Sequence, residues 1–400
     1  MHRFLESIAV FLFVAAVWSL SGCAGNAALL SAPSPDGKTS EERPLRVAWV
    51  QNLVEQGKED LFRPMQYGIP TVHDGVVYLG NNNKELIAFD ADTGVIIWKF
   101  SAFGVVESAA TVVGENVVFG DGDGYVYCLD RKSGFVRWTY RVQGQVWGHI
   151  VSNGELVFIR TNHERLYAIT LKDGKWKWMQ SRQLPNGFTI RGVASPVLDG
   201  DRVLAGYADG YFLAYRASDG AEIFKTLLEK GERFIDIDAT PLVEEDRVYV
   251  ASYGGTFYCL SRDNGAIQWT YRSGSVQRAT IVDDFVIATD DRGIVRALEK
   301  RTGQEIWKFD LREEDKKRSV AKKPRRKLKA PTNAAMFGEH LLVASSSGYL
   351  YALSPDTGKS QWRFWPGFGV TAELVAADNA VYVHSNYGFL YCLKKNYDFR

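Results

Sequence analysis

From residue 45 onward, apolar and polar residues alternate in runs of four to seven, and each run is bounded by turn residues. Alternation at a period of two places every second side chain on one face, the signature of half-buried strands. The stretch from Asp246 to Trp269 shows the repeating unit most clearly. It contains an alternating run, the turn Tyr253-Gly254-Gly255, a second run, the turn Asp263-Asn264-Gly265, and a strand carrying Trp269. The second turn recurs with its glycine at Gly94, Gly134, Gly174, Gly220, Gly265, Gly303 and Gly358, and four residues later comes Trp98, Trp138, Trp178, Phe224, Trp269, Trp307 or Trp362. Glycine supplies the positive φ of a tight hairpin. The aromatic ring is large enough to fill the space between adjacent sheets. The period-2 pattern excludes a helical solenoid.

An eighth unit begins at Ala377-Asp378 and runs through Tyr391-Cys392-Leu393 without a glycine turn or tryptophan strand of its own. The unassigned run Leu45-Arg46-Val47-Ala48-Trp49-Val50 has the pattern of the missing strand. The fold expected is therefore all-β: an eight-bladed β-propeller of four-stranded antiparallel blades, its ring closed by the N-terminal strand. The propeller is expected over 45–400.

The residues before it read differently. Met1-His2-Arg3 is followed by an apolar run from Ile8 to Leu20, shorter than the roughly 20 residues a membrane span takes. The run then ends in Leu20-Ser21-Gly22-Cys23. This predicts a lipoprotein signal peptide over 1–22 and lipidation of Cys23. Residues 23–44 are rich in Ala, Ser, Pro and charge and read as a flexible lipidated tether. Leu20-Ser21-Gly22-Cys23 resembles the lipobox of bacterial lipoproteins, among which Asp after the Cys means inner-membrane retention, so the resemblance implies that Ala24 directs the chain to the outer membrane. A tether of this length has a typical reach of about 25 Å, which would keep the ring close to the membrane.

Lys and Arg number 48 against 47 Asp and Glu, so nothing in the overall charge calls for nucleic acid. Cys128, Cys259 and Cys392 fill the same Tyr-Cys-Leu slot in units two, five and eight, where other units place Ala88, Ala168, Ala297 or Ala352. They are expected to be free, buried thiols, too far apart around a ring for a disulfide or a shared metal. Gly120-Asp121-Gly122-Asp123-Gly124 resembles part of a calcium loop but aligns with the hairpin turn of sister units, and a plain turn is the stronger reading. His73, His163 and His340 fall at or beside turns, without the spaced partners of zinc or triad chemistry. No catalytic residue, metal site or cofactor site is expected.

Because strands reverse at each turn, every blade-to-blade link emerges on one face, together with the turn between second and third strands. Long links stand out at 181–194, 227–239 and 310–333, and long connections on rigid scaffolds commonly carry binding. The first holds Phe188, Ile190 and Arg191. The second, joining the adjacent blade, holds Asp236 and Asp238. An apolar pair beside Arg191 and two carboxylates suits a protein-docking patch. The open alternative is that Phe188 and Ile190 pack on blade edges while the carboxylates bond backbone amides. The third link carries ten basic residues against three acidic ones over 312–329. It reads as a solvated loop, or as a contact for acidic lipid head groups or an acidic partner.

Lipobox, tether, closing strand and eight repeats ending in Gly-x-x-x-Trp together resemble the BamB lipoprotein family, propeller subunits of the machine that folds β-barrels into bacterial outer membranes. The link motifs carry the resemblance furthest: Phe188-x-Ile190-Arg191-Gly192 is similar to the family's Leu-x-Leu-Arg-Gly stretch, and Asp236-x-Asp238-x-Thr240-Pro241 to its Asp-x-Asp-x-Thr-Pro stretch. The basic insertion at 310–333 departs from the family pattern. The resemblance implies a non-enzymatic scaffold at the outer membrane, facing the periplasm, a single copy within a hetero-complex. It implies that Phe188, Ile190, Arg191, Asp236 and Asp238 dock the periplasmic domains of a BamA-like barrel subunit, with unfolded outer-membrane proteins as further partners. Two other readings stay open: a propeller serving another envelope complex, and a quinone-dependent dehydrogenase, whose adjacent cysteines and calcium-binding set have no counterpart in this sequence.

Overall fold

A computed structural model describes residues 44–53, 65–183, 194–231, 235–275, 277–318 and 330–396. Cys23, the expected signal peptide and nearly all of the tether lie outside the described residues, as do Phe188, Ile190 and Arg191.

Eight antiparallel sheets of four strands each make up the ring. Blades one to seven span 71–101, 111–141, 151–181, 197–227, 242–271, 280–310 and 335–364, and each uses its strands in chain order. Blade eight takes three strands from 375–395 and its outermost from β1 (Leu45–Asn52), which pairs with Phe389–Lys395. The closure read from Leu45 to Val50 is thus the one observed. Its register, Leu45 opposite Lys395 and Asn52 opposite Phe389, brings the chain into the ring on the face of tight turns and delivers it to the link face.

The recurrent tryptophan seals each seam. The indole N–H of Trp98 donates to the carbonyl of Arg131 in the next blade (3.0 Å), and its ring lies over Gly134, where an added Cβ would come within 2.8 Å. Trp138 repeats this on Leu171 and Gly174, and Trp178 on Ala217 and Gly220. The glycine before each aromatic strand therefore answers two demands, a positive φ and room for the neighbour's ring. In the closing strand, Trp49 does the same work on Ala91 and Gly94. Phe224 cannot donate, and the Thr226 hydroxyl bonds Gly265 O at that seam instead (2.9 Å). Trp362 faces blade eight, whose outer strand comes from the N-terminal side, so there is no third-to-fourth hairpin to offer a glycine or carbonyl. Its buried indole N–H has no partner among the described residues.

Cys128, Cys259 and Cys392 are free and fully buried, each in the third strand of its blade. Burial pushes their thiols up to about 12, 12 and 11. The 120–124 segment is a hairpin turn: one carboxylate oxygen of Asp121 accepts the amides of Asp123 and Tyr125, and the other takes Gly104 N–H and the Tyr127 hydroxyl. The basic link differs from the loop expected. Its first part is a helix, α1 (Leu311–Arg318), begun by Asp310, whose side chain accepts the amide of Arg312 (2.9 Å). Leu311 is buried and fastens the helix to the blades. The link between β1 and blade one, 53–70, is also long.

Candidate functional site

The link face is built from loops held by rigid blades, and its polar content is unequal. In most blades the last residue of the second strand is small: Gly80, Gly120, Gly206, Ala251 and Ala344. Small residues are required because the next link passes close. A Cβ at Gly120 would lie 2.3 Å from Val146, and one at Gly206 would lie 2.4 Å from the carbonyl of Ile237.

In blade three the position aligned with Gly120, one residue before the end of the second strand, holds Arg160. Its guanidinium, buried to 2% exposure, bonds the carbonyls of Gly206 (2.6 Å) and Thr161 (3.2 Å) and the carboxylate of Glu164 (3.0 Å). It also lies 4.1 Å above the Tyr207 ring. Glu164 completes the bridge by accepting Ala208 N–H (2.9 Å). Arg160 and Glu164 thus rivet the turn of blade three to the turn of blade four.

Asp236 and Asp238 sit on the next link, between blades four and five. They flank Ile237, which is fully buried, and its amide is tied to Tyr207 O (3.1 Å). Both carboxylates are inside: Asp236 is 2% and Asp238 7% exposed. Oδ1 of Asp236 and Oδ2 of Asp238 find no donor among the described residues. Bonds to backbone amides therefore do not account for these two oxygens among the described residues. Burial raises Asp236 to about 6, helped by Glu164. Burial, then Asp236 and Glu164, raise Asp238 to about 8, against the pull of Arg160. Three carboxylates share one nearby guanidinium, and ionising both aspartates without a further cation is costly.

A second polar cluster was not read from the sequence. The residue two before each innermost strand rings the link-side mouth of the central channel. At this position His149 of blade three reaches Glu373 of blade eight, Nε2 to Oε2 3.7 Å. Burial favours protonation of Glu373, but the hydrogen bond to His149, its charge, and that of Arg278 outweigh it and hold the carboxyl below the usual range. The same ring position stitches neighbouring blades: His149 N–H bonds the Ser195 hydroxyl (2.8 Å), and Ser195 N–H bonds Thr240 Oγ1 (3.2 Å). The channel behind, about 500 Å³, is lined by Thr71, Thr111, Ser152 and their neighbours. Aligning the repeats by this position would have singled out His149, Arg278 and Glu373.

The family described as outer membrane protein assembly factor BamB matches residues 46–126, 104–309 and 291–396, nearly the whole ring. The chain belongs to the BamB family. Among BamB relatives, the outer membrane protein assembly factor BamB of Kangiella koreensis is 25% identical over 393 residues, covering 96% of both chains. That of Shewanella oneidensis is 24% identical over 341 residues, 80% of this chain and 82% of the relative. In fold, the ring is similar to the crystal structure of BamB from Moraxella catarrhalis, with a TM-score of 0.73 at 23% identity, covering 88% of this chain and 99% of that one. The propeller itself is more widely shared. A quinohemoprotein alcohol dehydrogenase from Pseudomonas putida matches at a TM-score of 0.66 and 14% identity, over 88% of this chain and 76% of its own.

Proposed function

We propose that this BamB-family chain is a non-enzymatic scaffold lipoprotein of the outer-membrane protein assembly machine. Lipid on Cys23 anchors it to the outer membrane, facing the periplasm, and its link face docks a BamA-like barrel subunit. The observation that carries the reading is the family match across the ring, over residues 46–396, joined to a relative covered over 96% of its length. Within that reading, Phe188, Ile190 and Arg191 supply contacts to the partner, together with Asp236 and Asp238. The buried carboxylates beside Ile237 favour a cation at their mouth. Arg160 and Glu164, bridging two blades, make this region rigid.

The test is a pull-down of the full-length lipoprotein with the periplasmic domains of its own cell's barrel subunit. Phe188→Ser with Arg191→Glu should weaken binding by about 2 kcal/mol or more, while far-UV circular dichroism stays that of the parent. Parent-like affinity in this variant would remove the 181–194 link from the interface. The redox fold shared with quinohemoprotein enzymes gives the second reading. Reconstitution with pyrroloquinoline quinone followed by absorbance spectroscopy separates the two, and a stable bound quinone would overturn the scaffold assignment.

A further inference from the structure

The central channel opens on the link face through a mouth that carries charges of both signs. His149 of blade three, Arg278 of blade six and Glu373 of blade eight stand at equivalent positions, two residues before the innermost strand. All three line one cavity of about 500 Å³, a size typical of small-molecule sites. The side chains of His149 and Glu373 are 34% and 21% exposed, and Arg278 is exposed, so solvent reaches all three.

The charges at this mouth are not closed on one another. Glu373 faces an imidazole at 3.7 Å in place of a permanent cation. Arg278 acts on Glu373 through space, and its guanidinium has no ion pair or hydrogen bond among the described residues. The arginines that fasten the ring behave otherwise: Arg131, Arg202, Arg262 and Arg296 each hold a carboxylate of this chain. Beside the mouth, Thr240 Oγ1 accepts Ser195 N–H (3.2 Å), which leaves its proton for another acceptor. Deeper in, the lining changes. The Thr71 and Thr111 hydroxyls are used on the carbonyls of Ala110 (2.8 Å) and Ile150 in the next blades, and Val72, Val112, Val151 and Val197 supply side chains to the wall.

This arrangement selects by charge. A simple anion meets Arg278 but is opposed by Glu373, and a simple amine meets Glu373 but is opposed by Arg278. An uncharged ligand strips water from both groups and returns no ionic partner to either. A ligand carrying a carboxylate and an ammonium group side by side answers both, through charge-assisted hydrogen bonds.

We propose that the link-side mouth of the channel binds a small aminocarboxylate, a free amino acid with an apolar side chain. Its carboxylate pairs with Arg278 and accepts the Thr240 hydroxyl, its ammonium group pairs with Glu373, and its side chain enters the channel among the valines. This site goes beyond the assembly-factor reading and does not depend on docking by the 181–194 or 227–239 links.

The probe is leucine, in its L and D forms in turn, titrated by isothermal calorimetry into the full-length lipoprotein in detergent. Saturable binding is expected. Isocaproate, which lacks the amine, and isoamylamine, which lacks the carboxylate, should each bind roughly tenfold more weakly or worse. Arg278→Gln and Glu373→Gln should each weaken leucine binding by a similar factor, with circular dichroism as the check on folding. In Glu373→Gln the preference for leucine over isocaproate should also disappear, which a general loss of structure would not produce. Arg216→Gln, at a guanidinium of the opposite face paired with Asp219, should leave affinity unchanged. Absence of saturable binding by both forms of leucine would overturn the proposal. So would equal affinity of the parent chain for leucine and isocaproate, because the amine would then go unread, and so would parent-like affinity for leucine in Arg278→Gln.

Discussion

Blades two and three share four-stranded topology, a Gly-turn and a tryptophan seam, yet differ at the link face. In blade two, Gly120 lets the following link press against the sheet, and Asp121 spends its carboxylate on amides and one hydroxyl of its own neighbourhood. In blade three the glycine is replaced by Arg160 and the aspartate by Thr161, and the cluster reaches into blade four through Gly206 O and Ala208 N. The framework is carried by every repeat, whereas the specific chemistry comes from single positions that leave the repeat. A deviation of this kind costs desolvation that a plain hairpin avoids, and such polar networks hold only when nearly every member is satisfied.

The largest effect expected is at Arg160. Arg160→Ala removes the cation beneath Glu164 and Asp238 and should cost about 3–5 kcal/mol, the range for breaking a buried ion pair. Chemical denaturation measures it, and a loss near zero would show that the bridge to blade four does not depend on this guanidinium.

Next comes a pH effect with a definite sign. Asp236 and Asp238 titrate higher in the folded chain than in the unfolded chain, so the folded state binds more protons above about pH 4. Stability from this pair is fully present in acid and is lost as pH rises through about 6 and then about 8. Asp238→Asn should therefore narrow the fall in Tm between pH 5 and 8.5, and should match or exceed the parent in stability at the alkaline end. Parallel pH profiles would place a permanent cation beside Asp238.

The smallest effect separates regular seams from the closing one. Trp138→Phe deletes an indole bond to Leu171 O and should cost about 1 kcal/mol beyond the change in ring size. Trp362→Phe loses no partner and should be close to neutral or stabilising. Equal costs at the two sites would mean that ring packing alone, without the hydrogen bond, seals the blades.

Much of the ring was legible because its signals are local and repeated. The period of two, the glycine turn and the aromatic four residues later need only neighbours along the chain and one adjacent sheet. Even the closing strand could be read, since Trp49 carries the same pattern as its seven counterparts. The helix Leu311–Arg318 was hidden because its mean character is charged, and among its described side chains only Leu311 is buried. The His149–Glu373 contact was hidden because it joins blades three and eight across the channel, a pairing that no local spacing encodes.

The amino-acid sequence alone determined the eight repeats, the antiparallel blades and the strand that closes them, since backbone hydrogen bonding and alternating burial act over a few residues. Tertiary structure alone decided the state of the chemistry on the link face. The sequence left open whether Asp236 and Asp238 dock a partner or bond backbone amides, because nothing local foretells burial, and only the convergence of blades three, four and five encloses them beside Glu164 and Arg160. Burial and electrostatics depend on what surrounds a group in three dimensions, so the same Asp-x-Asp spacing that located the site could not give its charge.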